Sequence, residues 1–194
     1  VLPDTMGSRD HPHLLVGGDK QGYLYLVDRD NMGRYAGSGT DANVQIVHVL
    51  ASTPCTLCGF FDTPAVLGDR IYVAAITDTL RAYQITNATM TAAGNATDLT
   101  LDVPGAVPVV SSQAGTNGVV WVVDASMNGT NGAALGPAVL RAYDASSLGT
   151  AVYRSDAKLV DQAGDAVKFV PPVVANGKVY VAGRSSVTVY GFAP

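Results

Sequence analysis

Apolar and polar positions alternate with a period of two through most of this chain, in short runs broken by Gly, Pro, Asn and Asp. That is the pattern of half-buried β-strands joined by tight turns. One such run is written three times. The clearest copy is Pro64-Ala-Val-Leu-Gly-Asp-Arg-Ile-Tyr-Val-Ala-Ala, a short loop, then Thr79-Leu-Arg-Ala-Tyr83. It returns as Pro172-Val-Val-Ala-Asn-Gly-Lys-Val-Tyr-Val-Ala-Gly, a loop, and Val187-Thr-Val-Tyr190. A third copy runs from Pro108-Val-Val to Val119-Val-Trp-Val-Val, then Val139-Leu-Arg-Ala-Tyr143-Asp144. A repeat of several tens of residues, built of alternating strands and Gly-rich turns, encodes an array of small sheets. The pattern therefore predicts an all-β, β-propeller-like array of about four antiparallel blades. Ile71, Val73, Val120, Val122, Val179 and Val181 are its expected core.

The repeats divide residues 1–194 into units of about 11–50, 63–103, 106–160 and 167–194, read as a single partial propeller domain. In the first unit, His13-Leu-Leu-Val-Gly17 is expected as the innermost strand. A Gly18-Asp-Lys-Gln-Gly22 hairpin turn then leads to Tyr23-Leu-Tyr-Leu-Val-Asp28, and an outer strand is expected near 43–49. The outer strand of the second unit is placed at 99–103. The third unit carries a polar insertion at 124–137, rich in Gly, Asn and Ala, which reads as a surface loop. The fourth unit stops directly after its third strand, so the array reads as the C-terminal part of a larger propeller, completed by upstream residues or another chain. Val1 opens without a charged-then-apolar leader, so any targeting segment is expected to have been removed or left out.

Composition sharpens this picture in two ways. Charged residues make up 14% of the chain, against about 25% in ordinary soluble domains, and the net charge is -4. The 12 Lys and Arg are scattered, which argues against a nucleic-acid partner. No apolar run reaches the ~18 to 20 residues of a membrane span.

Cys55 and Cys58 stand two residues apart in a loop, with no second pair to complete a zinc ribbon; they read as a local disulfide in an oxidising compartment. Three Asn-x-Thr triplets, at Asn87, Asn95 and Asn128, fall in loops or strand ends and are candidate glycan acceptors. The two cysteines and the three triplets point to an extracellular or cell-surface protein, periplasmic if bacterial. His11 and His13 offer two imidazoles near a terminus, and no metal site is expected from them. The Gly17-Gly-Asp-Lys-Gln-Gly22 stretch precedes a strand, which leaves it no helix dipole with which to cradle phosphate. Arg81 and Arg141 occupy equivalent repeat positions, the mark of a duplicated structural role.

After the third strand of a unit the chain carries a further signature. Ala142-Tyr-Asp144-Ala-Ser-Ser-Leu-Gly149-Thr-Ala-Val-Tyr153 resembles the repeat of the pyrroloquinoline-quinone-like superfamily, and Leu26-Val-Asp28-Arg-Asp-Asn-Met-Gly33-Arg-Tyr35 keeps the same Asp-to-Gly spacing. The physics of the repeat is legible. Asp28 and Asp144 are placed to accept bonds from the turn backbone, Gly33 and Gly149 to take left-handed positions, and Tyr35 and Tyr153 to fill the wedge between blades. Tyr replaces the family's usual Trp, and the second unit departs further, with Tyr83-Gln-Ile-Thr-Asn87.

Enzymes of that superfamily imply a calcium-held quinone beneath adjacent cysteines, with a carboxylate as base. Here Cys55 and Cys58 are not adjacent, Trp121 lies inside an apolar strand, and the Asp28-Arg-Asp-Asn-Met start of a calcium loop meets Gly39 where a bidentate Glu is needed. The expectation is a non-catalytic module without cofactor or metal, serving protein or glycan interaction or assembly. The alternative is a fragment of a quinone-dependent oxidoreductase whose catalytic residues lie in upstream blades.

Overall fold

The computed structural model describes residues 1–35, 42–50, 59–129 and 135–191, and its strands form four antiparallel sheets. Sheet one holds β1 (Leu14–Gly18), β2 (Tyr23–Asp28) and β3 (Gln45–His48). Sheet two holds β4 (Ala65–Leu67), β5 (Arg70–Ala74), β6 (Leu80–Thr86) and β7 (Thr89–Ala93). In sheet three are β8 (Val109–Gln113), β9 (Thr116–Asp124), β10 (Val139–Asp144) and β11 (Tyr153–Arg154). Sheet four consists of β12 (Val173–Ala175), β13 (Lys178–Ala182) and β14 (Val187–Tyr190). Strands are paired in chain order within every sheet, and helix among the described residues is limited to short 3-10 turns.

Two-residue turns set this meander. Asn176 and Gly177 between β12 and β13 have φ of 52° and 70°, and Asn87 and Ala88 between β6 and β7 have 51° and 57°. Positive φ at both central positions twists the turn in the sense of the flanking strands. The second of these turns corrects the expected outer strand of unit two. Thr86 pairs with Thr89 immediately across Asn87 and Ala88, so β7 is the outer strand. Segment 99–103 instead crosses toward sheet three, keeping one bridge between Thr79 and Thr100 and burying Leu101.

A second correction concerns unit one. Asp28 ends β2 as Asp144 ends β10, so β1 corresponds to β9, and the pairs Leu14 with Asp28 and Val119 with Asp144 match. The strand starting beyond His13 is therefore the second of its blade. Among the described residues, sheet one has no counterpart of β4, β8 and β12.

Three apolar clusters join neighbouring sheets. Leu24 and Leu26 of sheet one meet Ile71, Val73, Tyr83 and Ile85 of sheet two. From the opposite face of sheet two, Tyr72, Leu80 and Ala82 meet Val120, Val122 and Tyr143. Val123 and Leu140 then meet Val179 and Val181 of sheet four. The six residues expected in the core are all 5% exposed or less, and each such aliphatic side chain contributes roughly 1.5–3 kcal/mol by leaving water. Strand β8 lies against both β4 and β12, which sets the first strands of successive sheets side by side, as at a propeller axis.

Candidate functional site

The blade turns are built around their aspartates. Asp144 Oδ1 accepts hydrogen bonds from the amides of Ser146 and Ser147 at 2.7 and 3.2 Å, and from both serine hydroxyls. These bonds, led by those of Ser146, hold its carboxyl below the ordinary aspartate value. Asp28 Oδ1 accepts the Asp30 amide at 2.8 Å, and its Oδ2 meets His11 Nδ1 at 2.9 Å. The histidine bond is the largest cause of its lowered pKa. Gly33 and Gly149 have φ of 76° and 72°.

The aromatic residues that follow these turns behave differently. Tyr153 packs against the third cluster and meets Tyr190 edge to face, 6.2 Å between centroids, so it joins sheets three and four. Tyr35 is 93% exposed and fills no wedge. The reason is local. Tyr153 opens β11, which pairs with β10, whereas Tyr35 lies on the connection well ahead of β3.

Arg81 donates from Nε and Nη2 to both carboxylate oxygens of Asp78. Its repeat counterpart Arg141 reaches Asp124 at 3.7 Å, with both side chains largely buried. The two arginines thus brace the connections that follow β5 and β9. Asp124 itself is the last residue of β9, paired with Val139, so the insertion begins one residue later than expected. The insertion starts with a 3-10 turn at Ser126–Asn128, residues 130–134 lie outside the described set, and Leu135 is 70% exposed.

Asn87 and Asn95 are exposed. Asn128 is half-buried, which corrects its expected exposure: its Nδ2 donates to the carbonyls of Ala125 and Val103 at 2.7 and 3.1 Å. Cys55, Cys58 and Gly39 lie outside the described residues. His13 Nδ1 sits 2.6 Å from Asp30 Oδ2, so the two imidazoles answer different carboxylates and do not converge. Among the described residues no group of three His, Cys, Asp or Glu is placed to hold a metal. Trp121 is half-buried against the third cluster, and its Nε1 donates to Ser111 at 2.8 Å.

One feature escaped the sequence reading. The chain segments entering β4, β8 and β12 converge on a shallow cavity lined by Phe61, Asp62, Gly105, Val107, Phe169 and Val170. Phe61 and Phe169 stand three residues before Pro64 and Pro172, and their rings stack 6.1 Å apart. Lys20 and Lys168 lie over these rings at 4.9 and 5.7 Å. Asp62 Oδ2 is buried and makes no hydrogen bond, and burial pushes the carboxyl up to about 7. A carboxyl so placed exchanges a proton near neutral pH, but one proton-exchanging group is not an acid/base pair.

Apolar rows also cross sheets four and one. On sheet four, Val173, Tyr180 and Val189 form one row across the strands, with Val187 beside it; the three valines are 50–62% exposed. On sheet one Leu15 stands opposite Val27, and Gly17 opposite Tyr25 opposite Ile46, the last 50% exposed.

No family model matches this chain, and no curated protein matches it. Among solved structures it is similar to the crystal structure of BamB from Moraxella catarrhalis, with a TM-score of 0.52 and 17% identity, over 95% of this chain and 48% of that one. The chain thus spans about half the length of that protein. Together the sheet order, the stacked clusters and this likeness define an all-β, β-propeller-like array of four antiparallel blades. Among the described residues no helix is long and apolar enough to cross a membrane.

Proposed function

We propose that this chain is a non-catalytic propeller module of the quinoprotein-like repeat superfamily that binds protein through the exposed apolar face of sheet four. One observation carries the reading. The exposed Val173, Val187 and Val189 share a face with Tyr180, and contiguous apolar surface of this kind marks a site of association. An aliphatic row favours a protein partner over a glycan. The exposed Asn87 and Asn95 and the Cys55 and Cys58 pair support an exported setting, extracellular, cell-surface or periplasmic.

The alternative is a fragment of a quinone-dependent oxidoreductase. The described residues do not fit that cofactor: Trp121 is packed between sheets and bonded to Ser111, and no three-group cation site is formed among them. Calorimetric titration with pyrroloquinoline quinone and calcium separates the two readings. No saturable binding is expected, and saturation in the micromolar range, or dye reduction with an alcohol or sugar, would favour the oxidoreductase.

A further inference from the structure

The connections entering β4, β8 and β12 follow one repeat. Each strand begins one residue after a proline, at Pro64, Pro108 and Pro172, so Phe61, Gly105 and Phe169 are equivalent, as are Asp62, Ala106 and Val170. At the first position the repeat supplies two rings and a gap: Phe61 and Phe169 stack, and Gly105, with φ of 78°, brings no side chain to the third place. At the second position it supplies two apolar residues and one acid. Ala106 and Val170 show that the connection itself needs no carboxyl there. Arg81 and Arg141, by contrast, repeat their role with an aspartate partner each. Asp62 therefore departs from the repeat, and its Oδ2 is buried without a hydrogen bond at the wall of the cavity.

The walls around that oxygen suit an ammonium group. Aromatic ring faces attract cations, and this chain already places Lys20 over Phe61 and Lys168 over Phe169. Neither lysine gives Asp62 Oδ2 a hydrogen bond. Phe169 adds a second sign. Its backbone is held at φ of 65°, a costly conformation for a bulky residue, yet its side chain is 52% exposed, so burial of the ring does not offset the strain. A strained ring standing half in solvent is placed for something that docks on it. The cavity has about 10 Å³ of free space, room for one water-sized group at the carboxyl. Around it Phe169, Val107 and Val170 form an apolar wall that suits a short alkyl chain.

We propose that this slot, where the entrances of three blades meet, binds a primary alkylammonium group, with Asp62 accepting its hydrogen bond and Phe61 and Phe169 flanking its alkyl chain. The chemistry of the slot selects the ligand. An anion would face the carboxylate, a neutral apolar molecule would leave Oδ2 unpaired, and a quaternary ammonium has no N–H to give it. Calcium needs several oxygen ligands, and no group of three His, Cys, Asp or Glu is formed among the described residues. The charged neighbours are Lys20, from the turn between β1 and β2, and Lys168, from the entry to β12; the sheet-three connection contributes only Pro104, Gly105, Ala106 and Val107. Two resident ammonium groups restrict the ligand to a single positive charge. A free amine and a lysine side chain of another protein both carry the required group.

Calorimetric titration with n-butylamine at pH 8.5 and pH 5.5 tests this. The amine is protonated at both values, so the comparison reads Asp62, which titrates at about 7. Saturable binding is expected at pH 8.5. It should weaken about 30-fold at pH 5.5, where only about one carboxyl in 30 is ionised. Asp62→Asn should abolish binding, Phe169→Leu should weaken it severalfold, and tetramethylammonium should not compete. Val189→Asp should bind as the parent does, because the sheet-four face takes no part. N-acetyl-lysine methylamide separates the two sources: binding equal to that of butylamine assigns the slot to lysine side chains, and much weaker binding assigns it to free amines. No saturation at pH 8.5 would overturn the site, as would equal affinity in Asp62→Asn or binding of butyrate in place of butylamine. Circular dichroism checks that both site variants are folded, and the pH comparison on the parent stands without them.

Discussion

The Tyr72 hydroxyl donates a hydrogen bond to the Ala145 carbonyl at 2.7 Å, across the boundary between sheets two and three. Arg70 Nη1 donates to the next carbonyl, Ser146, at 2.6 Å. The turn that Asp144 shapes from within is thus gripped from outside by two side chains of the preceding blade. Tyr72→Phe keeps the buried ring and removes the donor. A loss of about 1 kcal/mol is expected, because the Ala145 carbonyl then keeps only the longer bond from Arg70 Nη1, at 3.4 Å. It would appear as a lower urea midpoint with unchanged slope. An unchanged midpoint would mean the bond adds nothing net.

Asp62 makes stability depend on pH in a direction opposite to most carboxylates. Burial raises it from 3.8 to about 7 in the fold. Below about pH 3.8 the folded and unfolded chains both hold the proton. As pH rises to about 7, the unfolded chain releases it first, so the folded state loses ground, and above that the loss is constant. Asp62→Asn should therefore gain on the parent between pH 4 and pH 7, by at most about 1.4 kcal/mol per pH unit, and level off at pH 8. Denaturation midpoints of both proteins at pH 4, 5.5, 7 and 8 decide it. A constant difference across that range would show that the carboxyl is solvated.

The two aromatic residues that follow the Asp-to-Gly turns should separate cleanly on mutation. Tyr153 and Tyr190 are expected to couple by about 0.5–1.5 kcal/mol in a double-mutant cycle with Phe or Leu, since their rings meet edge to face at the junction of sheets three and four. Tyr35→Ala should fall within about 0.5 kcal/mol of the parent, as expected of an exposed side chain. Equal costs at Tyr35 and Tyr153 would restore the expected wedge in unit one.

Secretion from a eukaryotic host should load glycan on Asn87 and Asn95 in preference to Asn128, whose amide nitrogen is occupied by two carbonyls. Mass spectrometry before and after amidase treatment reads each site. Full occupancy at Asn128 alone would contradict the geometry.

The sheets were largely legible in the sequence because their signal is local. Alternation around Ile71, Val120 and Val179, closed by turns such as Asn176-Gly177, needs no distant partner to be read. The errors arise where local patterns are degenerate. Segment 99–103 alternates well but spends Leu101 on a crossing between sheets, while β7 has a single buried side chain, Met90, and looks weak. Alternation also cannot rank strands within a blade, and only the match of Asp28 to Asp144 shows that β1 is a second strand. The cavity at Asp62 was illegible for a different reason: its burial comes from three connections far apart in the chain. The equal spacing of Phe61 before Pro64 and Phe169 before Pro172 was its one visible sign.

The three clusters tie each sheet to its sequence neighbours, and that arrangement bears on how the body opens. Such an array behaves as a row of coupled units, in which the free energy of releasing one unit grows with the number of neighbours it holds. Amide exchange should accordingly be slowest in β5, β6, β9 and β10, whose sheets are covered on both sides, and fastest in β14. Opening then begins at sheet four, whose far face is exposed. Anything that covers an end face protects that sheet first, and through it slows the loss of the next.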